Sequence, residues 1–253
     1  MTSRRELKNY AKQAMSGKYG ILILAFVAVQ ALALISSMIS SALFPGEETI
    51  DIVLSYAFTF ILTLLINVVA AGMNYMYLNI ARGKVYSLND LFYFYRHHPD
   101  RVIVAGFFMA VLNLLTMLPY TIYSNVNLPG EDASVEVLIT WLYTGVVLMI
   151  VGMIVYQILV IPLEMTYYIL ADKPELKSTE AMKESLEMMH GNFGRYLMLK
   201  ISFIPLMFLS VFTFYIALLW IFPYMAMTEV MFYRDLTGEL KVQKEEEERA
   251  ARD

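Results

Sequence analysis

Five stretches of the chain carry no charged residue at all: 19–46, 52–81, 102–130, 137–163 and 201–228, each 27 to 30 residues long. Roughly 20 apolar residues of helix cross a hydrocarbon layer about 30 Å thick, so each window predicts at least one membrane span. The last window sits inside the 38 residues from Tyr196 to Tyr233. As one helix these would run about 57 Å, nearly twice the hydrocarbon thickness. Halved, they give two spans of about 18 residues, near the short end of the usual range. The pattern therefore predicts six spans, at about 19–43, 53–81, 102–122, 137–170, 195–213 and 215–234, with a reversal near Thr213–Tyr215.

Between the apolar windows the period changes. "SRRELKNYAKQAM" sets Ser3 and Glu6 at capping-box spacing and puts Leu7, Tyr10, Ala11, Ala14 and Met15 on one helical face. "SLNDLFYFYRHH" repeats the device with Ser87 and Asp90, and predicts Leu88, Leu91, Phe92 and Tyr95 as its apolar face. "STEAMKESLEMMH" offers Ser178 or Thr179 as cap and Ala181, Ser185, Leu186 and Met189 as its stripe. Narrow apolar faces beside charged ones suit helices lying in a membrane interface. The segments ahead of the even-numbered span ends also match. "MNYMYLNIARG", "EMTYYILADKP" and "EVMFYRDLTGE" each set a polar residue three positions before an aromatic one: Asn74 and Tyr77, Glu164 and Tyr167, Glu229 and Phe232. The expected fold is all-α: a polytopic membrane bundle of three repeated hairpins, units 3–81, 87–171 and 178–235, each preceded by an interfacial amphipathic helix. Together 1–236 form one membrane domain and 237–253 a charged, solvated tail containing "KEEEER".

Charge fixes the orientation. All 19 Lys and Arg residues fall in 1–18, 82–101, 172–200 and 234–253. The two remaining loops, 44–51 and 123–136, hold only acidic charges: Glu47, Glu48, Asp51, Glu131, Asp132 and Glu136. Basic residues near span ends stay on the cytoplasmic side, so the N-terminus and the loops 82–101 and 172–200 are expected there. An even number of spans brings the C-terminus to the same side. The overall composition agrees with a membrane protein: 58% hydrophobic and 17% charged, against roughly 25% charge in soluble domains. The first apolar window is too long for a signal-peptide core of about 7–15 residues and is expected to remain as a span. There is no cysteine, which excludes disulfides, thiolate metal sites and cysteine nucleophiles.

The links "MSGKYG" and "MHGNFGRYLMLKISF" and the ending "WIFPYMAMTEVMFYRDL" resemble a family of bacterial polytopic membrane proteins known as domain of unknown function 975. That family is distantly similar to the membrane domain beside some glycerophosphodiester phosphodiesterases. The resemblance implies residence in the bacterial inner membrane and six helices. It implies no catalytic residues, because the chain has no room for the soluble phosphodiesterase domain.

Glu164 and Glu229 are the sharpest candidates for a site. An ionisable group within a span is costly and tends to face a bundle interior or a wet cavity. With Asn74 they occupy matching positions, so packing around a pseudo-threefold axis would gather them near the cytoplasmic mouth, with Tyr77, Tyr167 and Phe232 beneath. The competing reading pairs each carboxylate with the interface, with Lys84, Lys173 or Arg234, or with a tyrosine. Pro162, Pro205 and Pro223 are expected to kink their helices; such breaks line transporter cavities but are also common in membrane helices. His97, His98 and His190 lack metal-ligand spacing, and no metal or cofactor is expected. No HExxH, GxSxG, phosphate-binding or dinucleotide motif occurs. A lipid-headgroup enzyme would need Glu164, Glu229, Asp100 and the histidines at no recognised spacing, so the chain reads as a non-enzyme. The sequence predicts a protein that binds or translocates a lipid, small amphiphile or ion. The alternative is a scaffold or accessory subunit docking a protein at its cytoplasmic face. Membrane lipids are the expected partners and nucleic acid is not; the oligomeric state is open.

Overall fold

The computed structural model describes residues 2–46, 49–130 and 132–250. Glu47, Glu48 and Glu131 of the acidic loops, and Asp253 at the end of the tail, lie outside them. Every element is helical: α1 (Arg4–Met15), α2 (Tyr19–Leu43), α3 (Thr49–Ala81), α4 (Tyr93–Arg96), α5 (Pro99–Val126), α6 (Val135–Val160), α7 (Thr166–Asp172), α8 (Ser178–Met189), α9 (Phe193–Ile201), α10 (Ile204–Leu209), α11 (Leu218–Leu236) and α12 (Glu239–Ala250), with 3₁₀ turns at Leu88–Phe92, Ile161–Leu163 and Ser210–Thr213.

Five helical segments are long and apolar enough to cross a membrane: Tyr19–Leu43, Ile50–Ala81, Pro99–Val126, Val135–Asp172 and Phe193–Thr213. Their outer faces leave large apolar side chains uncovered, such as Leu34, Met38, Tyr143 and Phe212. Water would not tolerate so much apolar surface, whereas lipid tails solvate it. Burial instead gathers toward one end, where Leu22, Val68, Met76 to Leu78, Ile161, Tyr168, Tyr196, Met227 and Val230 to Tyr233 join a single core. α2 packs on α3 and α5 on α6. Two glycines permit backbone contact: a Cβ on Gly72 of α3 would fall 2.1 Å from the Leu91 carbonyl oxygen, and one on Gly152 of α6 2.7 Å from that of Thr116.

The question raised by 201–228 has a clear geometric answer. Arg195 pairs with Asp235, Tyr196 packs on Phe232, Lys200 reaches Glu229, and Phe203 packs on Tyr224. Each step forward along one arm is a step back along the other, so the arms are antiparallel. The reversal lies at Phe214 and Tyr215, both left-handed at φ 49° and 65°, inside the interval the apolar pattern predicts. α11 is not among the five apolar segments, because its 19 residues include Glu229, Arg234 and Asp235.

The helices between the spans depart from prediction in detail. α1 buries Leu7, Ala11 and Met15, with Tyr10 and Ala14 partly covered, and its capping box forms between Ser3 and Glu6. In 87–98, Ser87 and Asp90 cap a 3₁₀ turn instead of an α-helix. At about three residues per turn, Leu91 and Phe94 share the buried face, while Leu88, Phe92 and Tyr95 are exposed. In α8 the cap residue is Lys177, not Ser178 or Thr179, and Leu186 is exposed at 48%. The rest of the expected stripe, Ala181, Ser185 and Met189, is buried, and Ser178 joins it in place of Leu186. Nor is the tail wholly solvated, for Leu240 is buried at the start of α12.

Pro162 and Pro205 break their helices outright. The first lies in the 3₁₀ turn between α6 and α7; the second restarts the chain as α10 after α9. Pro223 and Pro119 instead lie within continuous helices. The two breaks leave carbonyls without helical donors, and side chains from the connecting helices fill the gap. Ser185 of α8 donates to the Pro162 carbonyl at 2.8 Å, and Lys8 of α1 to the Ser202 carbonyl at 3.0 Å.

Candidate functional site

Glu164 sits at the junction of the broken helix formed by α6 and α7, and Glu229 midway along α11. The structure brings them together through a residue that loop-counting overlooked. Lys200 of α9 lies 2.6 Å from a Glu164 oxygen and 3.4 Å from a Glu229 oxygen. Lys200 was counted with the cytoplasmic loop 172–200, yet the helix starts at Phe193 and carries the ammonium two turns into the hairpin. Its position five residues beyond Arg195 was the available signal. Of the partners proposed from sequence, Lys173 pairs with Glu184 and Arg234 with Glu239, Lys84 has no ion pair among the described residues, and a tyrosine, Tyr196, does face Glu229.

The charge count of this triad is unequal. Two carboxylates share one ammonium, and each of the three side chains is only about a fifth to a quarter exposed. At such separations an attraction of several kcal/mol per pair is available even at an effective dielectric constant of about 20. One negative charge is left without a counter-ion in the triad. Tyr196 lines the same spot. Its ring lies 5.1 Å from the Lys200 ammonium, its side chain is wholly buried, and its hydroxyl faces the Glu229 carboxylate.

The other sequence candidates are distributed around the triad. Phe232 packs on Tyr196 at 5.0 Å and under the Arg195 guanidinium at 5.2 Å. Tyr77 is buried and donates to the Leu22 carbonyl at 3.0 Å, tying α3 to α2. The Tyr167 hydroxyl reaches the Met109 sulfur at 3.5 Å. Asn74 is partly buried and makes no hydrogen bond to either carboxylate or to Lys200. The two carboxylates thus meet; the asparagine does not join them by a bond.

A second polar cluster, absent from the sequence reading, closes the helix ends. Arg82 follows α3 and pairs with Asp172 of α7 at 2.5 Å and with Glu239 of α12. Tyr233 donates to Asp172 at 2.8 Å, and Arg234 spans Glu239 at 2.9 Å and the Ala81 carbonyl at 2.7 Å. Burial opposes charge on Arg82, but Asp172 and Glu239 outweigh it and raise its pKa further. Burial likewise pushes the Glu239 carboxyl up, and Arg82 with Arg234 hold it below its usual range. Nearby, Asp235 accepts from Arg195 at 2.6 Å and from the Thr2 amide at 3.1 Å, which pins the start of α1 to the end of α11.

These features define a helical membrane protein with a charged cluster inside its bundle. The chain belongs to the family described as "Protein of unknown function (DUF975)", whose sequence model matches residues 1–240. No curated protein and no solved structure matches it. The motif resemblance is thereby upheld, while the distant similarity to the glycerophosphodiester phosphodiesterase membrane domain has no support.

Proposed function

We propose that this is a six-span protein of the bacterial cytoplasmic membrane, with both termini inside, that binds a proton or small cation at Glu164, Lys200 and Glu229 and passes it, alone or on an amphiphile, through the bundle. The observation that carries this reading is the uneven triad: two largely covered carboxylates on one lysine, beside a buried tyrosine hydroxyl that faces Glu229. A purely structural ion pair balances its charges, because an uncompensated charge at low dielectric is costly. An excess carboxylate within a bundle suits a group that exchanges a cation.

The threefold organisation supports the six-span reading. Leu78, Tyr168 and Tyr233 hold equivalent positions in the three returning segments, and all three are buried. Arg82 and Asp172 are also equivalent, and they pair with each other. The hairpin of α9–α10 and α11 returns the chain as the other two units do, with aromatic Phe212, Phe214 and Tyr215 exposed at its tip, where an interfacial belt would lie.

The test is ion flux in proteoliposomes containing a pH-sensitive dye. Wild-type protein is expected to dissipate an imposed proton or cation gradient, and Glu229→Gln and Glu164→Gln to suppress that leak while the protein still folds. Equal behaviour of wild type and both variants, with no cation binding by either, would leave the scaffold reading in its place.

A further inference from the structure

The face of α1 turned away from its buried stripe holds four basic residues, Arg4, Arg5, Lys8 and Lys12. They line an open groove of about 450 Å³ whose other wall is Ser202, at the α9–α10 break, and Tyr224 of α11. Several basic side chains at this end of the molecule have acidic partners: Arg82, Lys173, Arg195, Arg234 and Lys244 all pair. The four in the groove have none among the described residues. The one carboxylate on this helix, Glu6, turns to Ser3 and Lys244 instead.

Four like charges so placed repel, and Lys8 is held among them. Burial first, then Lys12 and Arg4, lower its pKa. Two of the four make this worse for the helix itself. Arg4 and Arg5 stand in the first turn of α1, where the helix dipole disfavours positive charge. An anion in the groove would relieve both penalties.

The surroundings narrow the anion's chemistry. Lys8 spans the broken backbone, donating to the Ser202 carbonyl with its ammonium 3.9 Å over the Phe203 ring, and the Tyr224 hydroxyl reaches the Lys8 carbonyl at 3.5 Å. The groove thus rests on the apolar hairpin, with Ile201 and Ile204 exposed beside the break. Guanidinium and ammonium groups together match phosphate oxygens, and an adjoining apolar wall matches acyl chains. We propose that this groove binds the phosphate headgroup of an anionic lipid from the cytoplasmic leaflet. This rests on the membrane reading and not on the triad.

The experiment measures binding of phosphatidylglycerol to the full-length protein in neutral detergent by native mass spectrometry, with phosphatidylcholine and inorganic phosphate as comparison ligands. The variant Arg4→Gln/Arg5→Gln/Lys12→Gln spares Lys8 and its structural bond. Its counterpart Lys177→Gln/Lys183→Gln/Lys241→Gln removes three basic charges outside the groove. At roughly a fivefold effect per basic residue near a membrane surface, the groove variant should bind phosphatidylglycerol on the order of a hundredfold more weakly. The counterpart should bind like wild type. Equal weakening in both variants would mean diffuse surface attraction and overturn the proposal. So would wild-type binding that does not prefer phosphatidylglycerol to phosphatidylcholine, or inorganic phosphate displacing the lipid at equal concentration. Should the groove variant misfold, as judged by its thermal transition, the single Arg5→Gln change must still weaken binding about fivefold.

Discussion

Ser185 of α8 donates its hydroxyl to the Pro162 carbonyl at 2.8 Å, so a connecting helix caps a helix broken within the membrane-spanning region. The break at 161–163 would otherwise leave a carbonyl without water or donor, and Ser185 itself has no exposed surface. Connection and span are therefore one structure.

Ser185→Ala is expected to lower stability by about 1–3 kcal/mol, the cost of a buried unsatisfied acceptor. Ser41→Ala removes an exposed hydroxyl that bonds its own helix at Ser37 and should be nearly silent. Thermal unfolding in detergent compares the two; equal transitions would refute the capping role.

The triad should obey charge counting. Glu164→Gln or Glu229→Gln leaves a balanced pair on Lys200 and should be tolerated. Glu164→Gln/Glu229→Gln strands the ammonium, and Lys200→Met strands both carboxylates; each should cost about 3–5 kcal/mol. Combining all three changes should recover much of that loss. Additive effects across the series, measured by the same thermal transitions, would show that the three groups do not act together.

Gly72→Ala should be far more damaging than Gly20→Ala. The added Cβ would overlap the Leu91 carbonyl in the first case and meet nothing within 4 Å in the second. Overpacking of this kind typically costs about 1–3 kcal/mol, and backbone cannot rotate aside as a side chain can. A shared midpoint for the two variants would count against the close approach.

Acid should loosen the helix-end cluster. The folded-state pKa values of Glu239 and Asp235 are lowered below their ordinary values. Their stabilisation is therefore complete above their unfolded values, about 4.3 and 3.9, and is lost as pH falls through the folded ones. The midpoint should start to decline near pH 5. The Glu239→Gln variant should start lower and decline less steeply; an unchanged slope would assign the acid sensitivity to other groups.

The hairpin of α9–α10 and α11 should reach the outer surface. A cysteine at Phe214, 88% exposed at the reversal, should react with an impermeant reagent from outside, in a chain that has no other cysteine. A reporter active only outside should stay silent when fused after Asp253. Protection of Phe214→Cys from both sides would mean that the hairpin turns back within the bilayer.

The sequence by itself determined the helical class, the five long apolar segments and the reversal near 213–215, because apolar length and the absence of charge are local properties that the bilayer reads directly. It also placed Glu164 and Glu229 among the candidates, since a carboxylate in an apolar run is conspicuous wherever it points. What joins them was decided only by tertiary structure. Lys200 lies at the edge of its apolar window, where a basic residue marks a membrane boundary as readily as a buried pair, and only the antiparallel register of α9 with α11 carries it to Glu229. The faces of the connecting helices were likewise decided by their neighbours: a 3₁₀ turn exchanged Phe92 for Phe94, and close packing of α8 took in Ser178 and left Leu186 exposed. Arg82, Asp172 and Glu239 were indistinguishable from solvated charges until three helix ends met, because an ion pair belongs to two residues and periodicity describes one segment at a time.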